Sequence, residues 1–146
     1  MPHDTRFALR AEIALLGTGR LLDHFSLLFT LVAASGLTLH AYGALSGTPL
    51  LNALLFIALL AGVLEKYLAL RVAYDAALFA ALLEEGAGIR ELDAALQQQF
   101  GLQPRPEHDL ALRLAGARRL LKRQLWCVIT QLGCVLCALV MGIRVF

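Results

Sequence analysis

Charge is what this sequence has least of. Only 16% of its 146 residues are Asp, Glu, Lys or Arg, against 59% that are apolar. A soluble domain of this size needs more polar surface than that to cover one core. The scarcity excludes an ordinary water-soluble globule and points to lipid as part of the solvent. An excess of one sign is also missing: the formal net charge is +2, too small to argue for a nucleic-acid partner. Cysteine is confined to Cys127, Cys134 and Cys137, an odd number within one apolar run, which argues against a secreted disulfide framework. Zinc-protease, phosphate-loop, nucleophile-elbow and dinucleotide patterns are absent, as are low-complexity segments and internal repeats. The chain therefore reads as a single domain that is not an enzyme, with no catalytic residues and no cofactor.

What is present is a set of long apolar runs. Residues 25–45 and 125–143 carry no charge, and about 20 helical residues cross about 30 Å of hydrocarbon. A third run, 50–64, ends at Glu65 and Lys66 and is extended at the interface by Tyr67 and its apolar neighbours; Lys snorkels and Tyr favours that depth. The expected fold is an all-α integral membrane protein with transmembrane helices at 22–45, 49–70 and 125–143. Between the first two, Thr48 suits a helix N-cap and Pro49 a first helical residue, which predicts a tight hairpin of antiparallel helices.

Basic residues set the orientation. Three arginines precede the first span, the first hairpin has none, nine Lys and Arg lie between Lys66 and Gln124, and one, Arg144, is in the tail. The positive-inside rule predicts a cytoplasmic N-terminus and an outer C-terminus. Trp126, beside Lys122 and Arg123, fits an interface anchor. Arg outnumbers Lys eleven to two in a chain rich in Ala and Leu, which suggests a bacterial source and so an inner, cytoplasmic membrane. A cleaved signal peptide is the competing reading of the N-terminus, with Ala41-Tyr42-Gly43 as a weak cleavage site. The leading polar region, with Asp4, Glu12 and Asp23, argues against it.

Residues 5–16 read as a short helix ended by Gly17-Thr18-Gly19. Its Phe7, Ala11, Ala14 and Leu15 suit a helix lying in the membrane interface; docking on the cytoplasmic part of the bundle is the other reading. The Gly-Thr-Gly is a hinge, since no Lys-Ser/Thr follows it. The second span has no breaker before Glu84-Glu85-Gly86, so one helix of about 55 Å should run over 49–85. A shorter helix at 89–100, a turn at 103–106 and a last helix from Pro106 into the third span complete a cytoplasmic helical hairpin over 71–124. In it Leu78, Phe79 and Leu82 meet Leu110, Leu114 and Leu121, and its basic cluster faces anionic lipid.

Three constellations could carry chemistry. Ser26, Phe29, Ala33, Gly36, His40, Gly43 and Gly47 alternate at spacings of three and four, so they share one helix face. Lipid offers no hydrophobic drive between helices, so close packing needs small residues, and Ala33, Gly36, His40 and Gly43 form a candidate packing face. Cys127, Thr130, Cys134, Cys137 and Met141 form a sulfur stripe. Cys134, Cys137 and Met141 would suit Cu(I), but no cation on their helix lowers a thiol pKa, and packing is the plainer account. Glu65 and Asp75 are a candidate ion or proton site. Glu65 lies about 22 Å along the helix from Leu50, where anchoring the end of the span is the plainer account. His24 and His40 stand about 24 Å apart by the same rise, too far to ligate one haem iron. His108, beside Glu107 and Asp109, reads as a solvated helix start.

The functional expectation is a small non-enzymatic membrane subunit or scaffold. It would act through helix packing and a basic cytoplasmic hairpin, with membrane lipids, further copies of itself or another membrane protein as partners. A small homo-oligomeric transporter or channel using Glu65 is the alternative, and copper handling by Cys134, Cys137 and Met141 a weaker one.

Overall fold

The structure is a computed structural model that describes residues 3–43, 48–85 and 110–143. Its described residues form four helices: α1 (His3–Gly17), α2 (Gly19–Ala41), α3 (Pro49–Glu85) and α4 (Leu110–Ile143). Three helical stretches are long and apolar enough to cross a membrane; the first runs through α1 and α2, and the others lie in α3 and α4. The expected short helix at 89–100, the turn at 103–106, His108 with its acidic neighbours, and Gly47 lie outside the described residues.

The ends of the elements follow local chemistry. Thr48 caps α3: its Oγ1 accepts from the Leu51 N–H at 3.2 Å, and Pro49 takes the first helical position, where no N–H is needed. The helix then runs unbroken to Glu85, 37 residues or about 55 Å, over the bounds read from its lack of breakers. The first span differs from the expected 22–45. Its helix starts at Gly19 and ends at Ala41. Gly43 takes a φ of +71°, and its N–H bonds the His40 carbonyl at 2.9 Å. That left-handed conformation suits glycine and stops a helix. Thr18 marks the break between α1 and α2, its hydroxyl donating to the Leu15 carbonyl at 2.7 Å.

α3 packs along both α2 and α4, with α1 laid against its far end. Buried positions recur at seven-residue steps: 19, 26 and 33 on α2; 58, 65, 72 and 79 on α3; 117, 124, 131 and 138 on α4. This spacing keeps one seam of a helix facing its neighbours over many turns. One cluster joins Ala33, Leu55, Ala58, Val135 and Ala138. The other joins Leu9, Leu16, Val72, Phe79 and Ala117, with Leu114 and Leu121 packed against it.

The second cluster fixes α1. Leu9, Glu12 and Leu16 point inward, and the buried Glu12 carboxylate pairs with Arg118 of α4. α1 is thus docked on the bundle by one face, the arrangement weighed against a helix lying in the interface. Phe7, Ala11, Ala14 and Leu15 are exposed on its other side. A wide outward surface of Leu, Ile, Val and Phe continues over α2, α3 and α4.

Candidate functional site

The most unusual chemistry lies inside the bundle, where polar side chains replace apolar ones at the seven-residue steps. Glu65 of α3 and Gln124 of α4 are fully buried. Gln124 Nε2 donates to Glu65 Oε1 at 2.7 Å and to the Gly19 carbonyl of α2 at 2.9 Å. Both neighbours are acceptors, which fixes the orientation of the amide. One side chain thereby ties all three long helices. Gly19 makes the approach feasible: a Cβ there would meet Gln124 Oε1 at 3.1 Å and Val72 Cγ1 at 3.3 Å.

Glu65 has a second neighbour at the bundle edge. Its Oε2 lies 3.6 Å from Lys66 Nζ, and the same ammonium donates to Asp23 Oδ1 at 2.5 Å and to the Asp23 carbonyl at 2.9 Å. Lys66 and Asp23 are half-exposed, whereas Glu65 is not exposed at all. A buried carboxyl needs hydrogen bonds and opposite charge nearby. Glu65 receives one hydrogen bond and sits beside one ammonium.

One step further along α4, Gln131 is also fully buried. Its Nε2 fans out to Thr30 Oγ1 at 3.0 Å, the Ala58 carbonyl at 3.3 Å and the Ser26 carbonyl at 3.4 Å. Thr30 in turn donates to the Ser26 carbonyl at 2.7 Å. The helices meet so closely here that a Cβ on Gly62 would clash with Thr30 Oγ1 and lie 2.6 Å from Gln131 Nε2. Ser26 Oγ, Gln131 Oε1 and Glu65 Oε2 have no hydrogen-bond partner among the described residues.

The candidate residues are distributed as follows. Ala33 is fully buried, and a Cβ on Gly36 would touch Leu55 Cδ1 at 3.0 Å, so this face packs on α3 of the same chain. His40 is half-buried on the same face. Gly43 stands apart: it lies beyond the helix, exposed, and no described residue comes within 4 Å of a Cβ built there. It makes the turn that ends α2. Glu65 and Asp75 do not share one site. Asp75 lines a cleft between α3 and α4 with Tyr67, Arg71 and several α4 arginines. Burial pushes its carboxyl above the ordinary carboxylate range, and Arg71 opposes the rise. In the sulfur stripe Cys127 and Cys134 are half-buried and Cys137 is exposed, beside the inward line through Gln124, Val128, Gln131, Val135 and Ala138. Among the described residues no group of three or more His, Cys, Asp or Glu is arranged to hold a metal ion.

Gln124 and Gln131 were not singled out from the sequence. Their signal is the interval of seven, shared with Ala117 and Ala138, which puts two amides on the seam of an otherwise apolar helix. Comparisons of the chain with known protein families, with curated proteins and with solved structures find no match.

Proposed function

We propose that the chain is a non-enzymatic integral membrane subunit or scaffold of a bacterial inner membrane, acting through helix packing and its basic end. One observation carries this reading. The buried amide nitrogens of Gln124 and Gln131 bond to side chains and backbone of the same chain, while the outward face is a surface of large apolar residues such as Leu28, Leu31, Phe56, Leu60, Leu136 and Val140. Water has no use for such a surface, and lipid or another membrane helix covers it without penalty.

The N-terminus lies in the cytoplasm and the C-terminus in the periplasm. Among the described residues, Lys and Arg gather at the end of the bundle that carries Lys66, Arg71, Arg118 and Arg123, and none occurs over 21–41, 48–65 or 124–143. That asymmetry is the one the positive-inside rule reads. The basic end then forms the base of the cytoplasmic hairpin, which serves as a docking surface.

Extraction of the full chain from its native membrane tests the reading. A stoichiometric membrane partner, or a defined assembly of copies, is the expected result; a chain that purifies alone and monomeric overturns it. Transport is the second reading, favoured by the fully buried Glu65, whose Oε2 accepts no hydrogen bond among the described residues. Ion or proton flux in liposomes that is lost in Glu65→Gln would establish it in place of the scaffold.

A further inference from the structure

The cleft between the basic ends of α3 and α4 belongs to neither the buried polar layers nor the outward apolar surface. It has a volume of about 690 Å³. Tyr67, Arg71 and Asp75 line it from α3, and Arg113, Arg119 and Arg123 from α4. Four arginines and one aspartate thus line a single groove. The Arg71 guanidinium donates to Tyr67 Oη at 3.5 Å, and Arg119 and Arg123 form no ion pair with any described residue. The corresponding cleft on the α1 side holds fewer basic residues, Arg20 and Lys66, and the Lys66 ammonium is already bound to Asp23.

The depth of the cleft is fixed by its neighbours. Arg123 precedes Gln124, and Tyr67 follows Glu65 by two residues, so its upper edge lies at the Glu65–Gln124 contact. Trp126 and Tyr67 are exposed at that level, 67% and 57% respectively, and aromatic residues of this kind favour the headgroup region. Above it the same helix faces turn apolar. On α3, Leu64 and Ile57 lie seven and fourteen residues before Arg71. On α4, Cys127 and Cys134 lie four and eleven residues after Arg123. Leu64 and Ile57 are half-exposed, and both cysteines are half-buried. The soft, small side chains on α4 therefore share the helix face of the arginine cleft and extend it as an apolar strip.

The geometry points to a specific site for one anionic phospholipid: its phosphate is held by Arg71, Arg119 and Arg123, and an acyl chain lies along the apolar strip past Cys127 and Cys134. Guanidinium groups bind phosphate oxygens through forked, charge-assisted hydrogen bonds, and basic pockets between membrane helices recognise anionic headgroups for this reason. The adjoining apolar strip favours a lipid over a free phosphate, because an inorganic anion would leave it uncovered. This inference rests on the membrane reading proposed above. It gives that reading a defined lipid partner and gives the cysteine stripe an apolar role.

Native mass spectrometry of the full chain in mild detergent, titrated with phosphatidylglycerol, cardiolipin or phosphatidylcholine, tests it. One anionic lipid should bind per chain in preference to phosphatidylcholine. The preference should fall on the order of a hundredfold in an R71Q/R119Q/R123Q variant and about fivefold in R119Q alone. R10Q, outside the cleft, should leave it unchanged. Equal binding of phosphatidylcholine to the wild-type chain, a preference that survives the triple variant with helicity intact, or thermal protection reproduced by inorganic phosphate alone overturns the site while leaving the scaffold reading standing. A wild-type chain that stays dispersed and monomeric without detergent removes both. Specific lipid binding by a chain with no protein partner keeps the site and removes only the scaffold.

Discussion

At one end of the bundle Leu9, Leu16, Val72, Phe79 and Ala117 pack together, and toward the other end Ala33, Leu55, Ala58, Val135 and Ala138 do. The first cluster is built mostly from large side chains and is flanked by the Glu12–Arg118 ion pair. The second is rich in alanine, with Gly36 and Gly62 at its closest approaches and a glutamine amide bonded across three helices. On the membrane placement proposed above, the difference follows from solvent. Where water surrounds the helices, burying large apolar groups is itself the driving force, at about 25 cal/mol per Å². Where lipid surrounds them, that force vanishes between helices. Close backbone contact and interhelical hydrogen bonds take over, averaging about 0.6 kcal/mol per hydrogen bond. On the proposed placement of the bilayer, the boundary between the two regimes falls at the Glu65–Gln124–Gly19 layer.

The contrast breaks most readily at Phe79. Phe79→Ala should cost about 3–5 kcal/mol of stability and release α1, read as lost hydrogen-exchange protection over its inward face. A cost below about 1 kcal/mol would mean that this end is not an aqueous core. Gly62→Ala comes next. A methyl group there clashes with the Thr30 hydroxyl and the Gln131 amide, so these side chains must leave their interhelical contacts or α2 and α3 must part, at a cost of about 2 kcal/mol in mixed-micelle unfolding. Unchanged stability would show that the helices do not approach as described.

Removing polar contacts should cost less. Gln131→Leu keeps the volume but loses three interhelical contacts, for about 1 kcal/mol. The double-mutant cycle of Glu65→Gln with Gln124→Leu should give a coupling of similar size, about 1 kcal/mol. Additive effects would mean that the two side chains do not meet. Smallest of all is Gly133→Ala, on the outward face with no described residue within 4 Å of the added methyl; it should stay within about 0.5 kcal/mol of the parent. The pair Gly62 and Gly133 thus separates a packing glycine from a spectator.

Much of this was legible in the chain itself. The bounds of α3 follow from Thr48, Pro49 and the absence of any breaker up to Glu84 and Glu85. The face through Ser26, Ala33 and Gly36 follows from alternating steps of three and four. Two features resisted. Gly43 continues the same spacing, yet a left-handed φ puts it past the helix end, because periodicity carries no information about where a helix stops. Gln124 was read as the last residue of a polar segment, since a single amide at the edge of an apolar run looks the same whether it faces headgroups or a partner helix.

Three long apolar segments, the unbroken length of α3 and the small-residue seam were determined by the sequence alone, because each depends on the rise and rotation of one helix. Only the tertiary structure decided that Glu65 meets Gln124, 59 residues away, and that Gln131 reaches Ala58 and Ser26, 73 and 105 residues away. Such meetings depend on the register between helices, which is set by the sum of all their side-chain contacts and is written in none of them singly.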